Sequence, residues 1–168
     1  MLGGGAILSR SEDWWSQIGG PPQPARQAAL HYSALSDVAT LIETGEVSPV
    51  EVTQQILDRI AALDGDLHGY VTVTAEQALA SAREAEAEIR SGRYRGPLHG
   101  IPIGVKDLCY TRGVRTMGGT MVLSDFVPAF DATVVAKLRV AGAVILGKLT
   151  LCEGAMGPYH PQLAVPVN

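Results

Sequence analysis

At Gly96 the sequence changes its period. Before that point apolar residues recur at helical spacing. After it, short apolar runs separated by glycine and proline take over. A chain of this kind must pack helices against strands. The later order of strand, loop, helix and strand predicts an α/β layer with parallel pairing. The expected fold class is α/β, with N-terminal helices packed on part of a mixed β-sheet.

The helical part begins at Ser33. Leu35, Val38, Ala39 and Ile42 define one face, and Gly45 supplies the stop. Ser48, Pro49 and Glu51 then spell a capped helix start, with proline in the first turn and an acid three residues past the cap. Val52, Ile56, Ile60 and Leu63 form the expected buried stripe of that helix. Tyr70–Val73 reads as a short strand. Thr74 and Gln77 repeat the capping pattern ahead of an alanine-rich helix that runs to about Arg90. Its alanines permit close packing, and Glu84, Glu86 and Glu88 keep the other side wet.

Beyond Gly96, Ile101–Val105 reads as a buried strand and Arg112–Gly119 as a turn-rich loop. Asp131 is a candidate cap for a helix carrying Val134, Val135, Leu138 and Ala141. Gly142 ends that helix, and Ala143–Leu146 reads as a second buried strand. One or two strands do not make a stable sheet, so further chain or another subunit is expected to complete it. Residues 1–30 carry Gly3–Gly5, Trp14 and Trp15 and a Gly/Pro-rich break. They are expected to form a loosely ordered extension with an aromatic anchor.

The bulk properties exclude several classes. Of the 168 residues 46% are hydrophobic and 18% charged, which suits a folded chain rather than a disordered tail. A net charge of −4 gives no electrostatic case for nucleic acid, and the short cluster Arg90, Arg93 and Arg95 reads as a solvated turn. No apolar run is long enough to span a bilayer, and the start lacks the pattern of a secretory leader. A cytoplasmic location is expected. Cys109 and Cys152 form no disulfide framework, and neither they nor the four histidines have metal-ligand spacing. No metal and no cofactor are expected.

Lys106 is the residue that stands out chemically. It ends an apolar strand, where ligand sites gather in open α/β sheets. A lysine held there in a partly dry place can lose its proton and act as a general base toward a hydroxyl. Asp107 follows at once and offers a plainer reading, in which it pairs with Lys106 and holds it charged. Local sequence leaves both readings open.

The segment Gly96-Pro97-Leu98-His99-Gly100-Ile101-Pro102-Ile103-Gly104-Val105-Lys106-Asp107 closely resembles the first block of the amidase signature family. The resemblance continues through Gly113-Val114-Arg115-Thr116, Gly118-Gly119-Thr120, Asp131-Ala132-Thr133-Val134-Val135 and Gly142–Lys148, in order. It covers residues 33 to 168, so residues 31–168 are expected to be the N-terminal part of an amidase signature domain. The resemblance implies an amidase with a Ser-cisSer-Lys mechanism in which Lys106 is the lysine. It implies a small carboxamide substrate, no cofactor, and homo-oligomerisation as an option for the complete enzyme. The family's serine-rich loop has no counterpart here, and Ser91 and Ser124 lack its glycine setting. A complementary C-terminal segment or chain is expected to carry the serines, and this chain alone is expected to be inactive. A split or processed enzyme, a truncated chain and a gene fragment all fit. The family's glutamyl-tRNA amidotransferase branch follows its glycine-lysine pair with threonine-asparagine, whereas this chain has Leu149 and Thr150. The pattern therefore looks more like the broad bacterial amidases. A non-catalytic interaction subunit is the rival class. The substrate-binding residues are not readable.

Overall fold

A computed structural model describes residues 30–167. The chain divides into the units Met1–Tyr32 and Ser33–Asn168. Of the first unit only the 3-10 turn Leu30–Tyr32 is described, so the expected loose extension and the Trp14/Trp15 anchor lie outside the described residues. The second unit runs α1 (Leu35–Glu43), α2 (Pro49–Leu67), β1 (Tyr70–Val73), α3 (Ala75–Arg90), β2 (Pro102–Lys106), α4 (Thr133–Val140) and β3 (Val144–Leu149). It is the expected α/β arrangement of helices on a mixed, open sheet.

Local chemistry sets the helix ends. The Ser48 hydroxyl accepts from Glu51 N at 3.1 Å, while Ser48 N donates to the Glu51 carboxylate at 2.8 Å. This capping box starts α2 as the sequence predicts. At the other end His68 takes a left-handed conformation, and Asp64 Oδ1 accepts from Gly69 N and Tyr70 N. That carboxylate steers the chain directly into β1. Of the predicted stripe on α2, Val52 is buried and Ile56 and Ile60 pack against the core, but Thr53 and Leu57 are buried beside them and Leu63 is exposed. Two other expected caps are replaced by longer-range bonds. The Thr74 hydroxyl donates to Ile145 O at 3.3 Å rather than capping α3, because the residue still belongs to the sheet edge. Asp131 stands one residue before the N-cap Ala132, where it accepts from Arg112 N at 2.7 Å and pairs with Arg139 at 3.2 Å.

The sheet has the order β1-β3-β2, with β1 antiparallel and β2 parallel to the central β3. Both faces of β3 are covered. Val144 and Leu146 meet Leu57 of α2 and Ala78 and Ala82 of α3, whose small side chains let the helix come close. Ile145 packs with Val105 of β2 and Val135 of α4 on the opposite face. The strand is longer than the predicted Ala143–Leu146 and extends through Gly147 and Lys148 to Leu149.

A bulge explains how it can continue. Ile103 pairs with Ile145, but the next residue, Gly104, pairs with Gly147, leaving Leu146 as the extra residue. The insertion resets the alternation of side chains. Lys148 is thereby opposite Val105 and shares its face with Ile145, away from α2 and α3. Gly147 is required at the bulge, since a Cβ there would fall on the Thr72 carbonyl oxygen.

Candidate active site

Lys106 is the last residue of β2, and its side chain is exposed. Its backbone pairs with Leu149 and its carbonyl accepts from Cys109 N at 3.0 Å, closing the turn that follows the strand. The predicted residue therefore stands at the carboxyl end of a parallel strand pair. Asp107 does not turn toward it. The carboxylate is buried beneath the turn, and Oδ2 accepts from Met117 N at 2.9 Å and Gly118 N at 3.1 Å. The glycine-rich loop after β2 is thus folded back onto the strand end.

The partner of Asp107 is Lys148, which sequence reasoning missed. Its side chain is fully buried, and Nζ donates to Cys109 O at 2.8 Å and Thr116 Oγ1 at 2.7 Å, with Asp107 Oδ1 at 3.4 Å. Thr116 Oγ1 in turn donates to Val114 O. Burial pushes the Lys148 ammonium down from its ordinary pKa and the Asp107 carboxyl up, and each charge opposes the other's shift. Moving an ion out of water costs several kcal/mol (~3 or more), so partners on every side are what make the pair tenable. The signal in the sequence was a lysine inside the apolar run Val144–Leu149, which needs an anion on the adjacent strand end.

A cleft of about 200 Å³ opens beside the pair, lined by His68, Tyr70, Asp107, Thr150 and Leu151 among others. Lys106 is not among its lining residues. The Tyr70 hydroxyl holds its proton more tightly than usual, through burial first and the Asp64 charge second. The remaining polar residues weighed in the sequence have structural places. Ser91 Oγ donates to Glu88 O at 2.7 Å at the end of α3. His160 Nδ1 accepts from Gln162 N at 3.2 Å. Cys109 and Cys152 are free thiols and half-buried. Among the described residues no cluster of three or more His, Cys, Asp or Glu side chains could hold a metal, and no helix is long and apolar enough to cross a membrane.

His99 forms a second buried polar centre. Its Nδ1 accepts from Arg95 N at 3.1 Å, which leaves the proton on Nε2, 3.2 Å from a Glu88 oxygen. Burial lowers its pKa, the nearby Arg95 charge adds to this, and Glu88 opposes it. Arg95 also donates to Glu88 at 2.6 Å and to the last carbonyls of α4, joining α3 to the α4–β3 turn. Gly142 lies against the imidazole so closely that a Cβ would overlap the ring.

The folded helices, the open mixed sheet and the ordered glycine-rich blocks define a chain of the amidase family, and the chain belongs to that family. The family model described as Amidase matches residues 51–166. AmiD of Mycobacterium tuberculosis (strain ATCC 25618 / H37Rv) is 52% identical over 147 residues, which is 88% of this chain and 31% of that protein. The A-type subunit of the glutamyl-tRNA(Gln) amidotransferase from Geobacter sp. (strain M21) is 49% identical over 116 residues, 69% of this chain and 24% of that protein. The likeness to amidases is thus the more extensive. Among solved structures, the native peptide amidase from Stenotrophomonas maltophilia superposes with a TM-score of 0.69 at 40% identity, over 72% of this chain and 25% of that one. The chain spans about a third of the length of the curated relative it matches at 52% identity.

Proposed function

We propose that this chain is the lysine-bearing part of an enzyme that hydrolyses a carboxylic amide to a carboxylate and ammonia or an amine. Family membership supports the reaction class. The observation that carries the residue assignment is Lys106 at the carboxyl end of β2, exposed above a turn that buried groups hold in place. The serines of the Ser-cisSer-Lys mechanism are supplied by a complementary segment, consistent with the 31% of the relative's length that this chain covers.

In this reading Lys106 acts as a neutral amine. It takes a proton through the bridging serine while the nucleophilic serine attacks the amide carbon. Backbone N–H groups beside the nucleophile stabilise the oxyanion. The proton then passes to the leaving nitrogen, the C–N bond breaks, and an acyl-serine remains. Water, deprotonated by the same relay, cleaves that ester and restores the serine. Catalysis requires nucleophile, bridge and base within hydrogen-bond reach, so the 168-residue chain alone is expected to be inactive.

The test is turnover of a small aryl amide by the enzyme assembled with the serine-bearing segment. Lys106→Ala should nearly abolish turnover and leave assembly intact. Near-normal turnover by that variant would remove Lys106 from the mechanism. Hydrolysis by the purified chain alone that disappears in Lys106→Ala would overturn the need for a second segment.

A further inference from the structure

We infer that Lys148 is a positioning residue for the reaction, acting through the turn that carries Lys106; this rests on the role proposed above for Lys106. The turn from Lys106 to Cys109 is held at two points by groups that no solvent reaches. From beneath, the Lys148 ammonium grips Cys109 O at 2.8 Å. From within the turn, Asp107 binds the amides of Met117 and Gly118, and Gly118 N also lies 3.2 Å from Asp107 O. The ammonium and carboxylate meet at 3.4 Å, and Thr116 Oγ1 accepts a further ammonium N–H at 2.7 Å. Strand end, turn and returning loop are therefore tied to one buried cation.

Stability alone is a poor reason for this arrangement. A buried ion pair contributes little over an apolar pair of the same volume, because desolvation consumes the Coulomb gain. What the charges provide here is geometry. Three acceptors, two from the turn after β2 and one from the returning loop, converge on one ammonium on the central strand, and an apolar side chain could not direct them. Lys106 has no side-chain hydrogen bond of its own among those described, so the fixed turn is what determines where its amine can reach. The bulge in β3 delivers Lys148 to the correct face for this.

The experiment compares Lys148→Met in two backgrounds of the amide-hydrolysing assembly, with 4-nitroacetanilide as substrate. With Lys106 present, kcat should fall about 100-fold, the scale of a misplaced catalytic group, while KM stays constant. With Lys106→Ala already in place, Lys148→Met should cause no further loss. An equal loss in both backgrounds would show Lys148 to act independently of Lys106 and would overturn the inference. Substantial turnover by Lys106→Ala alone would instead sink the parent assignment, and is seen before Lys148 is changed.

A readout on this chain needs no partner. Hydrogen exchange of the Cys109, Met117 and Gly118 amides should quicken in Lys148→Met by more than that of the α2 amides, which report the overall loss of stability. Unchanged protection at those amides would also overturn the inference. Should the single substitution prevent folding, Asp107→Asn with Lys148→Met removes both charges and is measured in its place; it still deprives Cys109 O of its donor and should show the same kcat loss and exchange pattern.

Discussion

The helical half and the glycine-rich half are stabilised in different ways. α2 and α3 are specified by neighbours in sequence: a reciprocal cap at Ser48 and Glu51, a carboxylate at Asp64 that closes the helix, and alanines that set the packing distance. Each device is worth about 1 kcal/mol, and any one can fail alone. From β2 onward the fold depends on buried polar groups whose partners are far apart in sequence. Lys148 lies 39 residues from Cys109 and 32 from Thr116. Loss of one member leaves the others buried without partners. The helical half should therefore degrade gradually under substitution, and the second half abruptly.

Substitutions rank this contrast. The largest loss is expected for Lys148→Met, about 3–5 kcal/mol, since it leaves Asp107 charged and uncompensated. Combining it with Asp107→Asn should recover much of that loss. Chemical denaturation of the three variants measures the difference, and additive losses would contradict it.

Acid comes next. The folded pKa of His99 lies below its ordinary 6.5, so the unfolded chain binds more protons between the two values. The contribution of the neutral imidazole is present above pH 6.5 and is lost as pH falls through the folded value. The urea midpoint should drop over that window, and His99→Gln should flatten the drop. In the helical half, Ser48→Ala should cost only about 1 kcal/mol. Smallest of all, Lys106→Ala should change stability by less than about 0.5 kcal/mol, because the side chain is exposed. A clear fall in melting temperature for Lys106→Ala would mean that the turn depends on that side chain.

Legibility followed the same division. The Ser48 box, the stop at Gly45 and the strand Tyr70–Val73 were readable because their causes lie within a few residues. Thr74 and Asp131 carried equally good local signals for caps, and both were drawn into contacts across the sheet and loop instead. The predicted stripe on α2 missed Thr53 and Leu57, because which side of a helix is buried depends on what it packs against. The place of Lys106 at a strand end was legible from the apolar run before it. Lys148 was not, because only the parallel alignment of β2 and β3 brings Asp107 beneath it.

The bulge at Leu146 makes β3 a strand in which two kinds of order compete. Deleting that one residue would give β2 and β3 an uninterrupted ladder, which backbone hydrogen bonding alone would favour. The same deletion would leave Lys148 opposite Val105 on the face of Ile145, but it would put Gly147 in the place of Leu146 and empty the contact with Leu57, Ala78 and Ala82. The chain thus accepts an irregular ladder to bury a leucine on one face of the strand and a lysine on the other. A natural or engineered variant shortened by one residue here would gain regular pairing and lose its interior.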